Sequence, residues 1–296
     1  MTFVASTGQT PNLDVVLGAL DKMYPPRLAE GWDKVGLSIG RRQDPVRKIL
    51  FAVDPVASVV DEAIAWGADL IVTHHPFFFT AVNSVSGDTD RGEIVHRLIQ
   101  AECALFSAHT NADSAARGVN EALADLLGLV DTEPLVPAKD PADAAAGLGL
   151  GRVGKLAEPV TLGDFATVVA DRLPKVAQGV RVAGDLGAMV ETVAVLGGSG
   201  ESLAKAAAQA QADVYVTSDM KHHGALDLVA EFEHAAALAG NRCGGRPYLV
   251  DTAHYASESP WLKYGAEDLA KELKNDGYVV EVKVCEINTD PWTIRL

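Results

Sequence analysis

The chain has 296 residues, of which 48% are hydrophobic, and its 40 acidic and 25 basic side chains give a net charge of −15 at pH 7. This length accommodates one large domain or two of ordinary size, and the hydrophobic content is ample for buried cores. The acidic balance argues against a general nucleic-acid or anionic-membrane surface, because both partners are bound through a basic face.

The cysteines and the N-terminal segment favour a cytoplasmic protein. Cys103, Cys243 and Cys285 are odd in number and show no Cys-x-x-Cys spacing, so neither a disulfide framework nor a cysteine zinc site is expected. The N-terminal segment lacks a basic region followed by a long apolar run, which argues against a signal peptide. No uninterrupted apolar stretch reaches the about 20 residues that a membrane-spanning helix needs.

The first half of the chain alternates predicted helices and strands. An amphipathic helix begins near Asn12 and ends at Pro25-Pro26. A loop then leads into a short extended segment within 31–40. Further strands are predicted at 48–54, 69–73 and 103–108, and further helices at 56–67, 90–102 and 114–129.

The second half repeats this alternation after a different middle region. Residues 131–151 are rich in Pro, Ala, Gly and Asp and are predicted to form a loop, and a helix follows within 162–174. The later strands are predicted at 192–198, 213–217, 247–252 and 278–287, and the later helices at 201–211, 223–240 and 260–277. Alternation of this kind predicts an α/β fold with largely parallel sheets.

An internal offset suggests that the two halves are related. Ala68-Asp69 and Ala212-Asp213 are 144 positions apart, and His109 and His254 are 145 apart. We therefore expect two mutually similar, interlinked α/β domains, with 1–130 plus 248–296 in the first and 131–247 in the second. The alternative is that any two βαβ segments align this well.

Two adjacent histidines, His74 and His75, directly follow a predicted strand. In open α/β sheets ligands gather at the carboxyl ends of strands, so this pair is a candidate for metal binding. Each imidazole could bind one of two metal ions that lie about 3.5–4 Å apart. The alternative is a pair of half-buried polar histidines in a loop.

The spacing His-x-x-x-carboxylate occurs twice, as His109/Asp113 and His254/Glu258. Residues four apart share one face of a helix and can bind one metal ion or bridge two. A mixture of imidazole and carboxylate suits zinc, iron or manganese better than magnesium or calcium. Taken singly, each pair could also reflect acidic residues at a helix start.

The segment 217–223 also follows a predicted strand and contains further polar groups. Asp219, Lys221 and His222 are candidates for supporting or acid–base roles, and His223 is the favoured group for proton transfer. The alternative is that Ser218 or Asp219 caps the following helix. His96 and His234 fall within helical patterns and are expected to be surface or packed helix residues.

Five segments in this order resemble one family: GWDKVGL, THHPFFF, AHTNAD, TSDMKHH and DTAHYASE. It is the dinuclear metal-centre family of GTP cyclohydrolase I type 2 homologues, which includes the NGG-interacting-factor-like proteins. The resemblance covers nearly the whole chain apart from 130–191. Ser218 and Ala253 stand where the family has glycine.

The resemblance implies a metal site and an assembly. It implies two divalent metal ions per subunit, zinc, iron or manganese, at a dinuclear site between the two domains. His109 matches a position in or next to the metal shell. Family members assemble into toroidal hexamers, so a homohexamer is expected. The implied metal ligands are His74, His75, Asp113, His254 and Glu258.

The resemblance also implies a reaction. A metal-dependent hydrolase of this kind would direct hydroxide at C8 of the guanine ring of GTP and release formate, with His223 or His109 carrying protons. One alternative is a non-catalytic metal-binding or scaffold protein that acts through partners. Another is a metal hydrolase with a different substrate, such as a phosphoester or a cyclic amide.

Overall fold

The computed structural model describes residues 2–4, 8–240 and 244–296. Within these residues, no helix combines the length and the apolar character that crossing a membrane requires. Cys103 and Cys285 are buried free thiols, whereas Cys243 lies outside the described residues, as do Met1 and 5–7 of the N-terminal segment.

Strands and helices alternate along most of the described chain. In chain order the strands are β1 (Thr2–Val4), β2 (Gly36–Ile39), β3 (Lys48–Ala52), β4 (Leu70–Thr73), β5 (Ala104–Ser107), β6 (Val130–Glu133), β7 (Val136–Pro137), β8 (Gly149–Leu150), β9 (Arg152–Thr161), β10 (Arg181–Ala183), β11 (Met189–Ser199), β12 (Val214–Ser218), β13 (Tyr248–Thr252) and β14 (Glu281–Val284). The helices are α1 (Leu13–Met23), α2 (Ala57–Trp66), α3 (Asp90–Gln100), α4 (Thr110–Ser114), α5 (Val119–Leu127), α6 (Pro141–Ala145), α7 (Leu162–Arg172), α8 (Ala204–Gln209), α9 (His222–Leu238), α10 (His254–Glu258) and α11 (Trp261–Asn275).

The chain forms two compact units. Unit 1 comprises Met1–Gly118 and Leu262–Thr289, and unit 2 comprises Val119–Trp261 and Asp290–Leu296. The expected division placed 119–130, 248–261 and 290–296 in the first domain, whereas contacts place them in unit 2. The segment 248–261 shows the reason. These residues belong to unit 2 because β13 is hydrogen-bonded to β12 and β10 of the unit 2 sheet.

Unit 1 is built on a six-stranded sheet of order β1-β14-β3-β4-β5-β2. The four central strands are parallel, and the strands at both edges are antiparallel to their neighbours. Leu50, Ile71 and Leu105 of the central strands pack with the apolar residues of α2 and α3. On α11, Gly265 lies close to the ring of Phe51. The continuous apolar runs of β3 to β5 are thereby buried, as their sequences predict.

Helix ends in unit 1 fall where the sequence predicts them. The Asn12 side chain accepts a hydrogen bond from the amide of Val15 and caps α1. Gly67 takes a left-handed conformation, with φ of 74°, directly after α2. These caps confirm the predicted boundaries of both helices.

Unit 2 contains a six-stranded sheet of order β10-β13-β12-β11-β9-β6. Its three central strands, β11 to β13, are parallel, and the outer pairings are antiparallel. Along β12, Val214 and Val216 pack with residues of α5 and α7, whereas Tyr215 packs with residues of α8 and α9. This alternation places one helical layer on each face of the sheet.

Both units join the ends of two neighbouring parallel strands in the same way. In unit 1 the hydroxyls of Thr73 and Ser107 lie 3.1 Å apart, and in unit 2 those of Ser218 and Thr252 lie 3.0 Å apart. All four side chains are buried. The shared offset of 145 positions agrees with the internal repeat and makes His74 of unit 1 the counterpart of Asp219 in unit 2.

Two expectations about secondary structure were wrong. The expected loop at 131–151 contains β6, β7, α6 and β8, and β9 follows it at once. The strand β9 forms through antiparallel pairing with β11. Its own polar sequence does not predict a strand. The expected helix at 114–129 is interrupted before α5, where a Cβ atom on Gly118 would meet the carbonyl oxygen of Ala112 at 1.7 Å.

Candidate metal centre

Unit 1 gathers three histidines at the carboxyl ends of β4 and β5. One nitrogen from each of His74, His75 and His109 lies within 4.8 Å of the others. Their ring centroids are 5.0 to 5.6 Å apart. We call these residues the three-histidine cluster. The position agrees with the general location of ligand sites in open α/β sheets.

His74 is fully buried and its tautomer is set by the backbone. Its Nδ1 lies 3.0 Å from the carbonyl oxygen of Ala108. Because a carbonyl oxygen only accepts hydrogen bonds, Nδ1 carries a hydrogen, and Nε2 is the candidate nitrogen for binding a metal ion. That Nε2 lies 3.7 Å from Oδ1 of Asp113, the buried carboxylate on α4.

His75 is held by a carboxylate. Its Nδ1 lies 2.7 Å from Oδ1 of Asp54, two residues beyond the end of β3. The second oxygen of Asp54 accepts a hydrogen bond from the hydroxyl of Thr289. The carboxylate therefore fixes the imidazole with Nδ1 donating, which makes Nε2 the candidate ligand atom.

His109 contacts Asp33 in a different way. Its Nδ1 lies 3.1 Å from Oδ2 of Asp33, which is an ion-pair distance without a hydrogen bond, whereas Oδ2 accepts hydrogen bonds from the amide and the hydroxyl of Thr110. Burial alone would raise the pKa of Asp33, but the neighbouring His109 and the hydrogen bonds from Thr110 outweigh it and lower the pKa to about 2. Asp33 is thus a negative charge beside the imidazole.

The donor set of unit 1 fits a divalent metal ion. Two of the three imidazoles, those of His74 and His75, hydrogen-bond through Nδ1 to an oxygen acceptor, which is the usual arrangement of histidines that bind metal through Nε2. Clustered imidazoles beside a buried carboxylate suit zinc, iron or manganese.

Unit 2 carries a different arrangement on the short helix α10. His254 Nε2 lies 2.9 Å from Oε1 of Glu258, and its Nδ1 lies 2.6 Å from Oδ2 of Asp219. We call His254 and Glu258 the His–Glu pair. Glu258 is only 3% exposed. The i, i+4 spacing places both groups on one helix face, as predicted.

Charge is concentrated at the His–Glu pair. Burial would lower the pKa of His254, but Glu258 and Asp219 outweigh it and raise the pKa to about 11. In the absence of a metal ion the imidazole is therefore a cation between two carboxylates. A divalent cation would satisfy the same carboxylates and release the imidazole nitrogen for binding.

Gly198, the second-last residue of β11, leaves space for the side chains of the His–Glu pair. It has φ of +71°, and a Cβ atom there would lie 2.3 Å from Oε1 of Glu258 and 3.2 Å from Nε2 of His254. Only glycine meets both demands, the left-handed backbone and the empty space. The glycine-rich segment 197–200 is the sequence signal for this position.

The residues that follow β12 have separate roles. His223 is exposed in the first turn of α9, with its ring 5.1 Å from that of His222. The alternative that Ser218 or Asp219 caps α9 was wrong, because the N-cap residue is Lys221. Ser218 instead bonds to the hydroxyls of Thr252 and Ser257. Asp219 holds His254.

Two supporting carboxylates, Asp33 and Asp54, were not identified as site residues from the sequence. Asp33 lies in the GWDKVGL segment, which points to it only through the family resemblance. Asp54 lies two residues after β3, and β3 neighbours β4 in the sheet. A search for carboxylates after neighbouring strands would have found Asp54.

Comparison with known proteins gives consistent relatives over nearly the full length. A family model described as Duf34/NIF3 (NGG1p interacting factor 3) matches residues 11–291. A Streptomyces coelicolor protein named GTP cyclohydrolase 1 type 2 homolog is 45% identical over 286 residues, which cover 97% of this chain and 95% of that protein. A Clostridium perfringens protein of the same name is 31% identical over 280 residues, covering 95% of this chain and 98% of that protein.

A solved structure extends the likeness to the fold. The crystal structure of a Bacillus cereus protein related to NIF3 has a TM-score of 0.84 at 28% identity, and the match covers 97% of this chain and 100% of that chain. The sequence and structural matches therefore include the middle region of the chain, where the motifs had shown no resemblance.

Proposed function

The chain belongs to the Duf34/NIF3 family, and from this membership we propose that it is a metal-dependent hydrolase similar to GTP cyclohydrolase type 2. The observation that carries the metal part of the proposal is the three-histidine cluster, in which the imidazoles of His74 and His75 hydrogen-bond through Nδ1 to an oxygen acceptor. The name of the Streptomyces coelicolor relative supports the reaction class.

The proposed ligands come from both clusters and hold two divalent ions, zinc, iron or manganese. The mixture of imidazole nitrogens and carboxylate oxygens supports this choice of metals. Buried carboxylates support it further, because an ionised carboxylate is costly to bury unless a cation or hydrogen bonds compensate. The proposed ligands are His74, His75 and Asp113 of unit 1 and His254 and Glu258 of unit 2.

The residues around the ligands supply orientation and proton transfer. Divalent ions in such a site lower the pKa of water and so provide a nucleophile near neutral pH. Asp54 and Asp219 hold His75 and His254 in their binding orientations. His109, whose Nδ1 lies 3.1 Å from Asp33, is one proposed proton carrier, and the exposed His223 is the second.

GTP is the proposed substrate. Water would add at C8 of the guanine ring and open the imidazole ring, and a second water would cleave the resulting formamide and release C8 as formate. The net charge of −15 disfavours binding of a triphosphate, so cations at the site would also serve to attract it. The proposal further includes a cytoplasmic homohexamer, as the family resemblance implies.

The direct test is formate release from GTP by metal-loaded protein. We expect turnover by the wild-type chain and none by the double variant His75→Ala, Glu258→Ala. The matched control is the double variant His96→Ala, His234→Ala, because both histidines are exposed on helices away from strand ends. Its turnover should equal that of the wild type.

Failure of this test has defined meanings. Wild-type formate release no greater than that of the His75→Ala, Glu258→Ala variant rejects GTP as substrate. A panel of phosphoesters and cyclic amides then tests the other hydrolase reactions. Metal binding without turnover of any of these compounds would establish the non-catalytic alternative.

A further inference from the structure

Two large aromatic side chains stand exposed beside the three-histidine cluster. Trp32 is 64% exposed and Phe79 is 54% exposed. The centroid of the Trp32 ring is 5.9 Å from that of His109, and the Phe79 centroid is 5.6 Å from His109 and 6.3 Å from His75. All of these residues belong to unit 1. Two exposed apolar rings therefore border the three-histidine cluster.

Trp32 is held in place by its neighbours in the chain. The next residue, Asp33, is buried and accepts hydrogen bonds from Thr110, while its amide donates to the carbonyl of Glu30. The amide of Glu30 in turn donates to the Thr110 hydroxyl. The exposed indole thus projects from a turn that is tied to the start of α4.

Phe79 also extends from an anchored segment. Phe77, two residues earlier, is fully buried in the apolar core of unit 1 and its ring contacts that of Phe78. Pro76 and the buried Phe77 fix the chain directly after His75. Phe79 is therefore the first exposed side chain after a buried segment, and it lies over the histidines.

The orientation of the two aromatic rings leaves them available to a ligand. Both are nearly perpendicular to the imidazole of His109, with interplanar angles of 77° and 89°. Neither ring is stacked face to face on the imidazole, and more than half of each side chain is accessible. Aromatic faces stack on the flat rings of nucleobases without needing specific hydrogen bonds.

We propose that Trp32 and Phe79 form a subsite that binds the flat heteroaromatic ring of the substrate by stacking, next to His109 and His75. The proposal rests on the proposed function for the location of the reacting ring. Stacking would place that ring beside the histidines and exclude water from its faces. The ring would then supply binding affinity that does not depend on charge. Such affinity matters here because the acidic protein repels the anionic remainder of the ligand.

The test is binding of guanosine to the metal-loaded full-length chain, measured by calorimetry. Guanosine carries the flat ring but no phosphate, so contacts between metal and phosphate do not contribute. We expect wild-type protein to bind guanosine and not ribose. Trp32→Ala and Phe79→Ala should each weaken binding about tenfold, which corresponds to about 1.4 kcal/mol. Trp32→Phe should keep most of the affinity.

The matched control is Trp292→Ala, which removes another exposed tryptophan, 68% exposed in the C-terminal segment. Its affinity for guanosine should be unchanged. Circular dichroism and metal content of each variant exclude loss of folding or of metal as the cause. Unchanged affinity in both Trp32→Ala and Phe79→Ala, or no guanosine binding by the wild type, overturns the proposal.

The outcome separates the subsite from the proposed function. Guanosine binding that depends on Trp32, without formate release from GTP, would keep the stacking subsite and reject the hydrolase. Formate release by Trp32→Ala and Phe79→Ala with unchanged KM would keep the hydrolase and reject the subsite.

Discussion

The three-histidine cluster of unit 1 and the His–Glu pair of unit 2 occupy corresponding places on similar sheets. At the offset of 145 positions, His109 corresponds to His254 and Asp113 to Glu258. The residue after the central strand differs, however, because His74 corresponds to Asp219. Unit 1 thus concentrates imidazoles at this place, whereas unit 2 concentrates carboxylates around a single imidazole.

The difference has an electrostatic consequence. In unit 1 the Nδ1 atoms of His74 and His75 hydrogen-bond to oxygen acceptors, whereas in unit 2 Glu258 and Asp219 raise the pKa of the His254 imidazole. Neutral nitrogen donors confer selectivity for transition metals, and carboxylates supply the charge that compensates a cation. The two units therefore carry donor groups of different chemistry at corresponding places.

Removing one proposed ligand from each cluster tests whether both clusters contribute to metal binding. We expect His74→Ala and Glu258→Ala each to lower metal affinity by more than about 100-fold, because loss of a ligand exceeds the cost of losing a supporting group. Metal content after dialysis against buffered metal, measured by mass spectrometry, is the readout. His96→Ala is the control. Full metal content in Glu258→Ala would show that unit 2 supplies no ligand.

Gly198 offers a second way to disturb only unit 2. Gly198→Ala strains a residue at φ of +71° and displaces the buried Glu258 carboxylate, so we expect a loss of about 2 kcal/mol of unfolding free energy in urea, together with loss of metal. Gly67→Ala is the control, because Gly67 has φ of +74° but nothing within 4 Å of its added Cβ. It should lose only about 1 kcal/mol from backbone strain.

Equal losses of unfolding free energy in Gly198→Ala and Gly67→Ala would mean that a Cβ atom at position 198 fits beside Glu258 without additional cost. Retention of metal by Gly198→Ala would show that metal binding does not depend on the position of the Glu258 carboxylate.

The parts of the fold that the sequence predicts are those whose stability is local or apolar. The strands β3, β4 and β5 are continuous apolar runs, and their burial follows from composition alone. By contrast, β9 and β10 form because β11 and β13 pair with them, and no pattern within their own residues requires a strand.

The candidate site divides in a similar way. His74 and His75 are visible as histidines at a strand end, and the i, i+4 spacing identifies the residues of α10. The roles of Asp33 and Asp54 depend on hydrogen bonds between segments far apart in the chain, such as the bond between Asp54 and His75 across 21 positions. Such contacts are a property of the folded sheet and have no local sequence pattern.

The two clusters also differ in the exposure of the carboxylates that hydrogen-bond to their histidines. Asp54 holds His75 at 2.7 Å with a side chain that is 25% exposed, whereas Asp219 holds His254 at 2.6 Å with a side chain that is 49% exposed. Water screens an exposed charge more strongly, so the negative charge of Asp54 should influence its imidazole more. We expect Asp54→Asn to lower metal affinity about tenfold, the lower end of the range for supporting groups, and Asp219→Asn to lower it less.

Competition with a fluorescent chelator measures both affinities. Asp61→Asn is the matched control, because Asp61 is an exposed carboxylate that pairs with Arg97 on the surface of unit 1, and its loss should leave metal affinity unchanged. Asparagine keeps the size of aspartate and an oxygen that accepts from Nδ1, so the variants isolate the charge. A loss for Asp219→Asn as large as that for Asp54→Asn would mean that screening by water does not distinguish the clusters. The carboxylates of unit 2 would then support its imidazole as strongly as those of unit 1.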